Sequence, residues 1–487
     1  MEKWTAILSL RRQRELFSPR GRCIFWLAGL LCIALWQAAL GTYRTGLDDR
    51  HSNLASLGAG WQNQFFMLYH KGYFPLHCHA EHRVPELAEA ERLLRDEGTQ
   101  LVSSNNVDRL PAYLFFVDAW LGGDPRTPVY RTANAVFFIL GLMLFFSACV
   151  WIRLELLGAL CVLFVGSNPY QLFETYAAEN VFGWPVTTAL LGLAAVVPLL
   201  GEKRPHPVYF WLAPVVAGLL VGSARHIRGE TLPIAASLLW VCALVPHVRW
   251  WTRLALPMVF VLATLLGMDG WKAHFKSKQR EAEALVAASG GAIAPSQPTY
   301  HPHWIAIWCG LGDFDDTYGY AWDDRVVHEY YLSTYFKEPA TFDRIVKRKV
   351  VQDITGDPVW FLRILSQRAW RILAENTPVR LAVGPWWLDL PLPGWIFPFS
   401  LLGLVGLWVW KRNWELLKFL LLPAPLAATP LLVYSGGGLH YYSIEHLFVA
   451  AVLLALAAEA ALVYFFQDAP QNSTPLAANQ SVPPPTS

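Results

Sequence analysis

Two adjacent aspartates, Asp48 and Asp49, stand in the stretch "TYRTGLDDRHSN", directly after an apolar run long enough to cross a membrane. Carboxylates in such a place can cap a turn or a helix. They can equally serve as a general base beside a reacting hydroxyl, or as ligands of a cation. Neighbours on an extended chain point to opposite sides, so one of the pair would act and the other support it. Asp49 is the preferred base, and Arg50 is the one obvious local cation.

Three more polar groups stand out against apolar surroundings. "YAAENVFGW" places Glu179 just before a span, and "GSARHIRGETLP" places Arg225, His226, Arg228 and Glu230 between two others. "GGGLHYYSIEH" places His440, Tyr441, Tyr442, Glu445 and His446 at the start of the last span. On a continuing helix Arg225 and Arg228 share a face. Paired guanidiniums suit phosphate oxygens, whereas snorkelling to lipid head groups is the plainer role for such residues.

Two further clusters are less specific. "FPLHCHAEHR" packs His77, Cys78, His79, Glu81 and His82 together, but zinc ligands come in separated pairs, so a solvated loop is expected. "GLGDFDDTYGYAWDDR" holds Asp313, Asp315, Asp316, Asp323 and Asp324 among aromatics and glycines. It lacks the twelfth-position glutamate of a calcium loop. A saccharide-facing loop and a purely structural one both fit it.

The elements that must position these residues are membrane helices. Of 487 residues, 54% are hydrophobic and 16% charged, against about 25% charged in soluble domains. The apolar residues fall in runs of roughly 17 to 25, enough for about 30 Å of hydrocarbon. An all-α polytopic membrane protein follows. The net charge of +2 argues against a nucleic-acid partner.

The basic N-terminus, residues 1–22, carries six Lys or Arg and precedes a run too long for a signal-peptide core. Read as a retained first span, it places the N-terminus in the cytoplasm. Nine further spans are predicted at about 130–152, 154–168, 182–200, 207–223, 231–247, 253–269, 393–410, 416–434 and 442–466. The connections "IRLE", "GEKRPH", "HVRWWTR" and "WKRNWELLK" then all fall inside, each with a basic residue. The expected organisation is a transmembrane core over 23–269 containing the extracytoplasmic loop 43–129. A second extracytoplasmic segment covers 270–392, spans eight to ten cover 393–466, and a disordered cytoplasmic tail covers 467–487.

Both outside segments contain amphipathic helical stretches, "PELAEAERLLRDEG" and "PVWFLRILSQRAWRIL". The second sets Arg363, Arg368 and Arg371 apart from its apolar face, a pattern suited to the membrane interface. Five of seven cysteines lie in or beside spans; Cys78 and Cys309 lie outside, and whether they pair is left open. On this topology Asp48-Asp49, Glu179, the Arg225–Glu230 stretch and His440–His446 all sit at outer span ends, where they can converge on one cavity.

This layout resembles the GT-C-fold membrane glycosyltransferases, specifically relatives of protein O-mannosyltransferases and of the lipid A aminoarabinose and galacturonic acid transferases. The resemblance rests on Asp48-Asp49 in the first outside loop, on "ENVFGWPVTTALL" and on "GLLVGSARHIRGETLPIAASLL" with Arg228 and Glu230. The pattern "HPHWIAIWCGLGDFDDTYGYAWDD" adds to it. Many such relatives open a late span with an R-Y-x-x-P element that contacts the donor phosphate. Here "GLHYYSIEHLF" has His440 in that place and no proline, which shifts the expected contact to His440 with Arg225 and Arg228.

The resemblance implies transfer, with inversion, of a sugar from a polyprenyl-phosphate donor to a lipid, glycan or protein acceptor. The cell-envelope setting would be a bacterial inner membrane with the site facing the periplasm and both termini cytoplasmic. Asp49, with Asp48, would take the acceptor proton, and Arg225, Arg228 or His440 would stabilise the departing phosphate. Glu179, Glu230, Tyr441, Asp323 and Asp324 are the expected substrate contacts. No cofactor is expected, and a divalent-metal requirement is left open. A transporter or lipid flippase is the competing reading, although such proteins tend to carry internal repeats and midplane charges. A scaffold subunit of a membrane assembly is the third.

Overall fold

The computed structural model describes residues 18–41, 76–78, 101–103, 130–177, 183–201, 206–227, 232–245, 248–288, 293–294, 303–314, 316–321, 326–327, 339–370, 380–383, 386–389 and 402. The chain is helical. Among the described residues four helices carry stretches long and apolar enough to cross a membrane: Pro19–Leu40, Ala133–Trp151, Pro207–Ala224 and Trp250–His274. Three shorter apolar helical stretches, Glu155–Gly166, Trp184–Leu200 and Ile234–Ala243, lie among them. All seven match predicted spans; the three predicted spans within 393–466 lie outside the described residues.

The bundle comprises α1 (Pro19–Gly41), α2 (Tyr130–Trp151), α3 (Glu155–Gly166), the single turn α4 (Pro169–Leu172), α5 (Trp184–Val196), α6 (Pro207–Ala224), α7 (Leu232–Ala243) and α8 (Trp250–Ala288). Pro185 opens α5 and Pro207 opens α6, positions where a missing N–H costs nothing. The His206 side chain accepts the Val208 N–H at 3.3 Å and so caps α6. A core of Phe138, Leu142, Cys161, Leu190, Leu238, Cys242 and Phe260 knits α2, α3, α5, α7 and α8 together.

The corner between α2 and α3 is a Schellman turn. Leu154 N–H donates to Cys149 O at 2.8 Å and Arg153 N–H to Val150 O at 3.1 Å. The left-handed residue in that turn is normally glycine, yet here it is Arg153, with φ of 67°.

Helices α6 and α8 approach closely. Gly218 and Gly222 form a small-xxx-small ridge on α6. A Cβ added to Gly218 would lie 2.5 Å from Phe260 O, and one on Gly222 would collide with Thr264 O. Gly267 answers from α8, its Cα facing Gly222. Rising residue numbers meet rising residue numbers along this seam, so α6 and α8 run parallel.

The sequence places the end of the seventh span at 269, but α8 continues without a break to Ala288. At 1.5 Å per residue its 39 residues extend about 58 Å, well beyond the hydrocarbon core of about 30 Å. The charged stretch "KSKQREAEALVAA" therefore projects as a helical stalk. Beyond it, Ile293–Ala294 pairs in parallel with Leu101–Ser103, which pairs antiparallel with Leu76–Cys78. This small ladder joins the two segments expected outside the membrane. A two-stranded hairpin joins Arg380–Val383 to Trp386–Asp389.

A second core lies in the later segment, formed by α9 (His303–Leu311), α10 (Pro339–Gly356) and α11 (Pro358–Trp370). Ile305, Trp308, Tyr320, Phe342, Val346, Trp360 and Ile364 fill it. Asp357 caps α11 by accepting the Trp360 N–H at 2.9 Å. The amphipathic pattern of α11 is real, but its buried stripe of Trp360, Ile364 and Arg368 packs into this core. Val359, Leu362 and Trp370 remain exposed on its other side. Cys309 is a buried thiol of the same core.

Candidate functional site

Hydrogen bonds define which helix ends lie together. Where α1 begins, Arg22 Nε donates to Glu155 Oε1 at 2.9 Å, and Trp26 Nε1 donates to Ser147 Oγ at 2.9 Å. Where α1 ends, Gln37 Nε2 donates to Gly166 O at 2.8 Å and Tyr176 OH donates to Gln37 Oε1 at 2.9 Å. The end of α1, the end of α3 and the chain beyond α4 therefore share one level, called the distal end below.

A buried polar cluster occupies that distal end. Asn134 bridges two segments: its Oδ1 accepts from Trp184 Nε1 at 2.8 Å and its Nδ2 donates to Glu174 O at 3.4 Å. Gln171 Nε2 donates to Thr175 Oγ1 at 3.2 Å and to Gly183 O at 3.3 Å. Gln171 Oε1 and Thr188 Oγ1 are buried and have no hydrogen-bond partner among the described residues. Glu174 itself is 2% exposed, a carboxylate enclosed by apolar helices.

Glu174 lies on a π-helical turn, Phe173–Ala177, which continues α4. Single π turns inside helical segments recur at functional sites, because the wider turn redirects side chains that a regular helix would align. Sequence reasoning singled out Glu179 in this region and passed over Glu174, Gln171, Asn134 and Gln37. The signal was present: "NPYQLFETYAAEN" is an acidic and amide-bearing stretch between two apolar spans.

Arg225 belongs to the same level, since α6 rises toward the distal end. Its backbone N–H donates to Val221 O at 3.1 Å, and its side chain is half-buried. Beyond Ala224 the chain tightens, with His226 N–H to Ser223 O and Ile227 N–H to Ala224 O, both 2.9 Å. The helix thus stops at Ala224, short of the continuing helix that would set Arg225 and Arg228 on one face. Two side-chain bonds pin this turn to α8: His226 Nε2 to Met268 O, and Trp271 Nε1 to Ser223 Oγ, each 2.8 Å. A carbonyl can only accept, so His226 carries its proton on Nε2.

Of the site residues expected from sequence, Arg225 is the one described. Asp48, Asp49, Glu179, Arg228, Glu230, Asp323, Asp324, His440 and Tyr441 lie outside the described residues. The segments carrying Asp48-Asp49, Glu179 and Arg228-Glu230 follow Gly41, Ala177 and Ile227 in the chain, and all three are distal positions.

Part of the aromatic-acidic stretch after α9 packs into the second core. Tyr320 OH donates to Asp353 Oδ2 at 2.8 Å, while its ring meets Trp308 edge-on and stacks on Trp360. Lys349 Nζ, 2.6 Å from Asp353 Oδ2, sits 4.9 Å from the centre of the Tyr320 ring. Asp313 pairs with Arg368. These rings and carboxylates pack within or against the second core.

Among the described residues no group of three or more His, Cys, Asp or Glu side chains is placed to hold a metal ion. Comparison of the chain with protein-family models, curated proteins and solved structures finds no match.

Proposed function

We propose that this protein is an integral-membrane glycosyltransferase with about ten spans. It moves a sugar from a polyprenyl-phosphate donor to an acceptor at the distal end of the bundle, most naturally the periplasmic face of a bacterial inner membrane. The observation that carries this reading is the buried polar cluster of Glu174, Gln171 and Asn134 at the end where Arg225 also lies. Amide and carboxylate acceptors beside a tryptophan suit a hydroxyl-rich ligand. A guanidinium at the same level suits the phosphate that departs.

In this reaction Asp49, supported by Asp48, removes the acceptor proton as its oxygen attacks the anomeric carbon. The bond from that carbon to the donor phosphate oxygen breaks, and Arg225, with Arg228 and His440, takes up the charge on the leaving lipid phosphate. Glu174 and Gln171 accept sugar hydroxyls, alongside Glu179, Glu230, Tyr441, Asp323 and Asp324. The polyprenyl chain explains why the site is housed among membrane helices.

The test is a transfer assay with purified protein and a panel of polyprenyl-phosphate sugars, comparing wild type with Asp49→Asn. Wild-type turnover that falls by about 10²-fold or more in Asp49→Asn is expected. Turnover unchanged in the variant removes Asp49 from the role of base. No turnover with any donor, together with movement of the intact lipid between leaflets, replaces the transferase by a lipid flippase.

A further inference from the structure

We propose that the groove where α1 begins, against the α2–α3 corner, binds the phosphate headgroup of an anionic phospholipid. The proposal requires a bilayer around the helices and is independent of the transfer reaction, which belongs to the opposite end of the bundle.

The groove has a volume of about 550 Å³ and is lined by Arg22, Trp26, Ser147, Trp151, Arg153 and Gly201, among others. Its lining is mixed. Arg22 and Arg153 stand at the helix ends, while the Trp26–Ser147 hydrogen bond lies one turn further along α1, about 6 Å deeper at the helical rise. Val150 and Ile152 supply apolar wall. Guanidiniums beside tryptophan rings and aliphatic side chains suit an amphiphile rather than a free ion.

The two guanidiniums are held differently. Glu155, buried at the start of α3, takes Arg22 Nε at 2.9 Å and so fixes the plane of that fork. Arg153 is fixed by its backbone: it occupies the left-handed position of the Schellman turn, where glycine would be free of strain. A non-glycine residue there is strained, and such strain is characteristically kept where a side chain has work to do. Arg153 is one of the residues that line the groove.

The depth is that of a headgroup. Trp151 is 75% exposed beside the groove, and the stacked, exposed pair Trp250–Trp251 opens α8 at the same end. Tryptophans at one level on the outside of an apolar bundle mark the membrane–water interface. Basic pockets between helices at that level bind anionic lipid head groups.

The test uses purified full-length protein in detergent, with phosphatidylglycerol or phosphatidylcholine added and retained lipid counted by native mass spectrometry. Wild type is expected to retain phosphatidylglycerol in preference to phosphatidylcholine. Arg153→Gly, which suits the turn, should cut that retention about tenfold, the loss of a charged hydrogen bond. Arg153→Asn, also tolerated in the left-handed region, should do the same. Arg249→Gln, beyond the groove, should leave retention unchanged. Millimolar inorganic phosphate should not displace the lipid; displacement would reassign the site to free phosphate. Equal retention of the two lipids, or wild-type retention by both Arg153 variants, overturns the proposal.

Discussion

Arg368 Nε stands 3.3 Å from Asp313 Oδ2, and both side chains are shut away from solvent, at 0% and 2% exposure. The pair ties α11 to the chain directly after α9. A buried ion pair adds little net stability over a well-packed apolar pair, but breaking it strands a charge. Arg368→Ala should therefore destabilise the α9–α11 core by about 3–5 kcal/mol. Combining Asp313→Leu with Arg368→Met should recover most of that loss. Hydrogen exchange of amides in α9, α10 and α11 reads both changes. Equal protection in wild type and Arg368→Ala would show that the pair carries no structural weight.

Two glycines, Gly222 on the α6–α8 seam and Gly270 on an exposed face of α8, should respond to alanine in opposite directions. At Gly222 a Cβ meets Thr264 O and lies 3.0 Å from Met268 N, so α6 must move away from α8. Overpacking of this kind costs about 1–3 kcal/mol. At Gly270 an added Cβ meets nothing within 4 Å, and there alanine gains about 0.5–1 kcal/mol of helix propensity. Thermal midpoints in detergent should fall for Gly222→Ala and rise for Gly270→Ala. The Gly222 variant should also weaken the His226–Met268 and Ser223–Trp271 bonds, visible as altered Trp271 emission.

Hydropathy made the helices legible, because a bilayer demands long apolar runs and α1, α2, α6 and α8 supply them. It marked the apolar span of α8 but not how far the helix runs past it, since leaving the membrane removes the need for apolar residues but not the helix's ability to propagate. The amphipathic stripe of α11 was visible by periodicity, yet nothing local could show that Arg368 faces inward to a partner 55 positions earlier. Arg153 in "WIRLE" gave no turn signal, because that signal is normally a glycine. Glu174 was missed for a different reason: a lone carboxylate near a predicted span end reads as interface, and its enclosure appears only once α2 and α5 close over it.

Alkaline pH should loosen the second core through Tyr318. Burial of the phenol, then the charge of Asp357 and the hydrogen bond to it, and the charge of Asp353 raise its pKa above the ordinary 10.0. A phenol raised in the folded state binds its proton more tightly folded than unfolded. Its contribution is therefore present in full below pH 10.0 and is lost as pH rises from there through the folded value. Tyr318→Phe should flatten this part of the pH dependence of α9–α11 protection while leaving neutral-pH exchange little changed. The same alkaline loosening in wild type and Tyr318→Phe would assign it to another group.

Glu174 offers the sharpest separation between a working cluster and mere helix packing. Its backbone carbonyl accepts from Asn134 at 3.4 Å, so the main chain holds the π turn in place without the carboxylate. Glu174→Gln keeps size and hydrogen-bonding capacity but removes the charge. If Glu174 accepts a sugar hydroxyl, kcat/KM for the accepted donor should fall about 10- to 100-fold, the worth of one charged hydrogen bond. The thermal midpoint should stay near wild type. Asn134→Ala should behave oppositely, lowering the midpoint because it removes the bridge from Trp184 Nε1 to Glu174 O. Removing the proposed base in Asp49→Asn should depress kcat with little change in KM, whereas the Glu174 loss should appear partly in KM. Wild-type kcat/KM in Glu174→Gln would reduce the cluster to glue between helices and move the search for sugar contacts to the other distal segments.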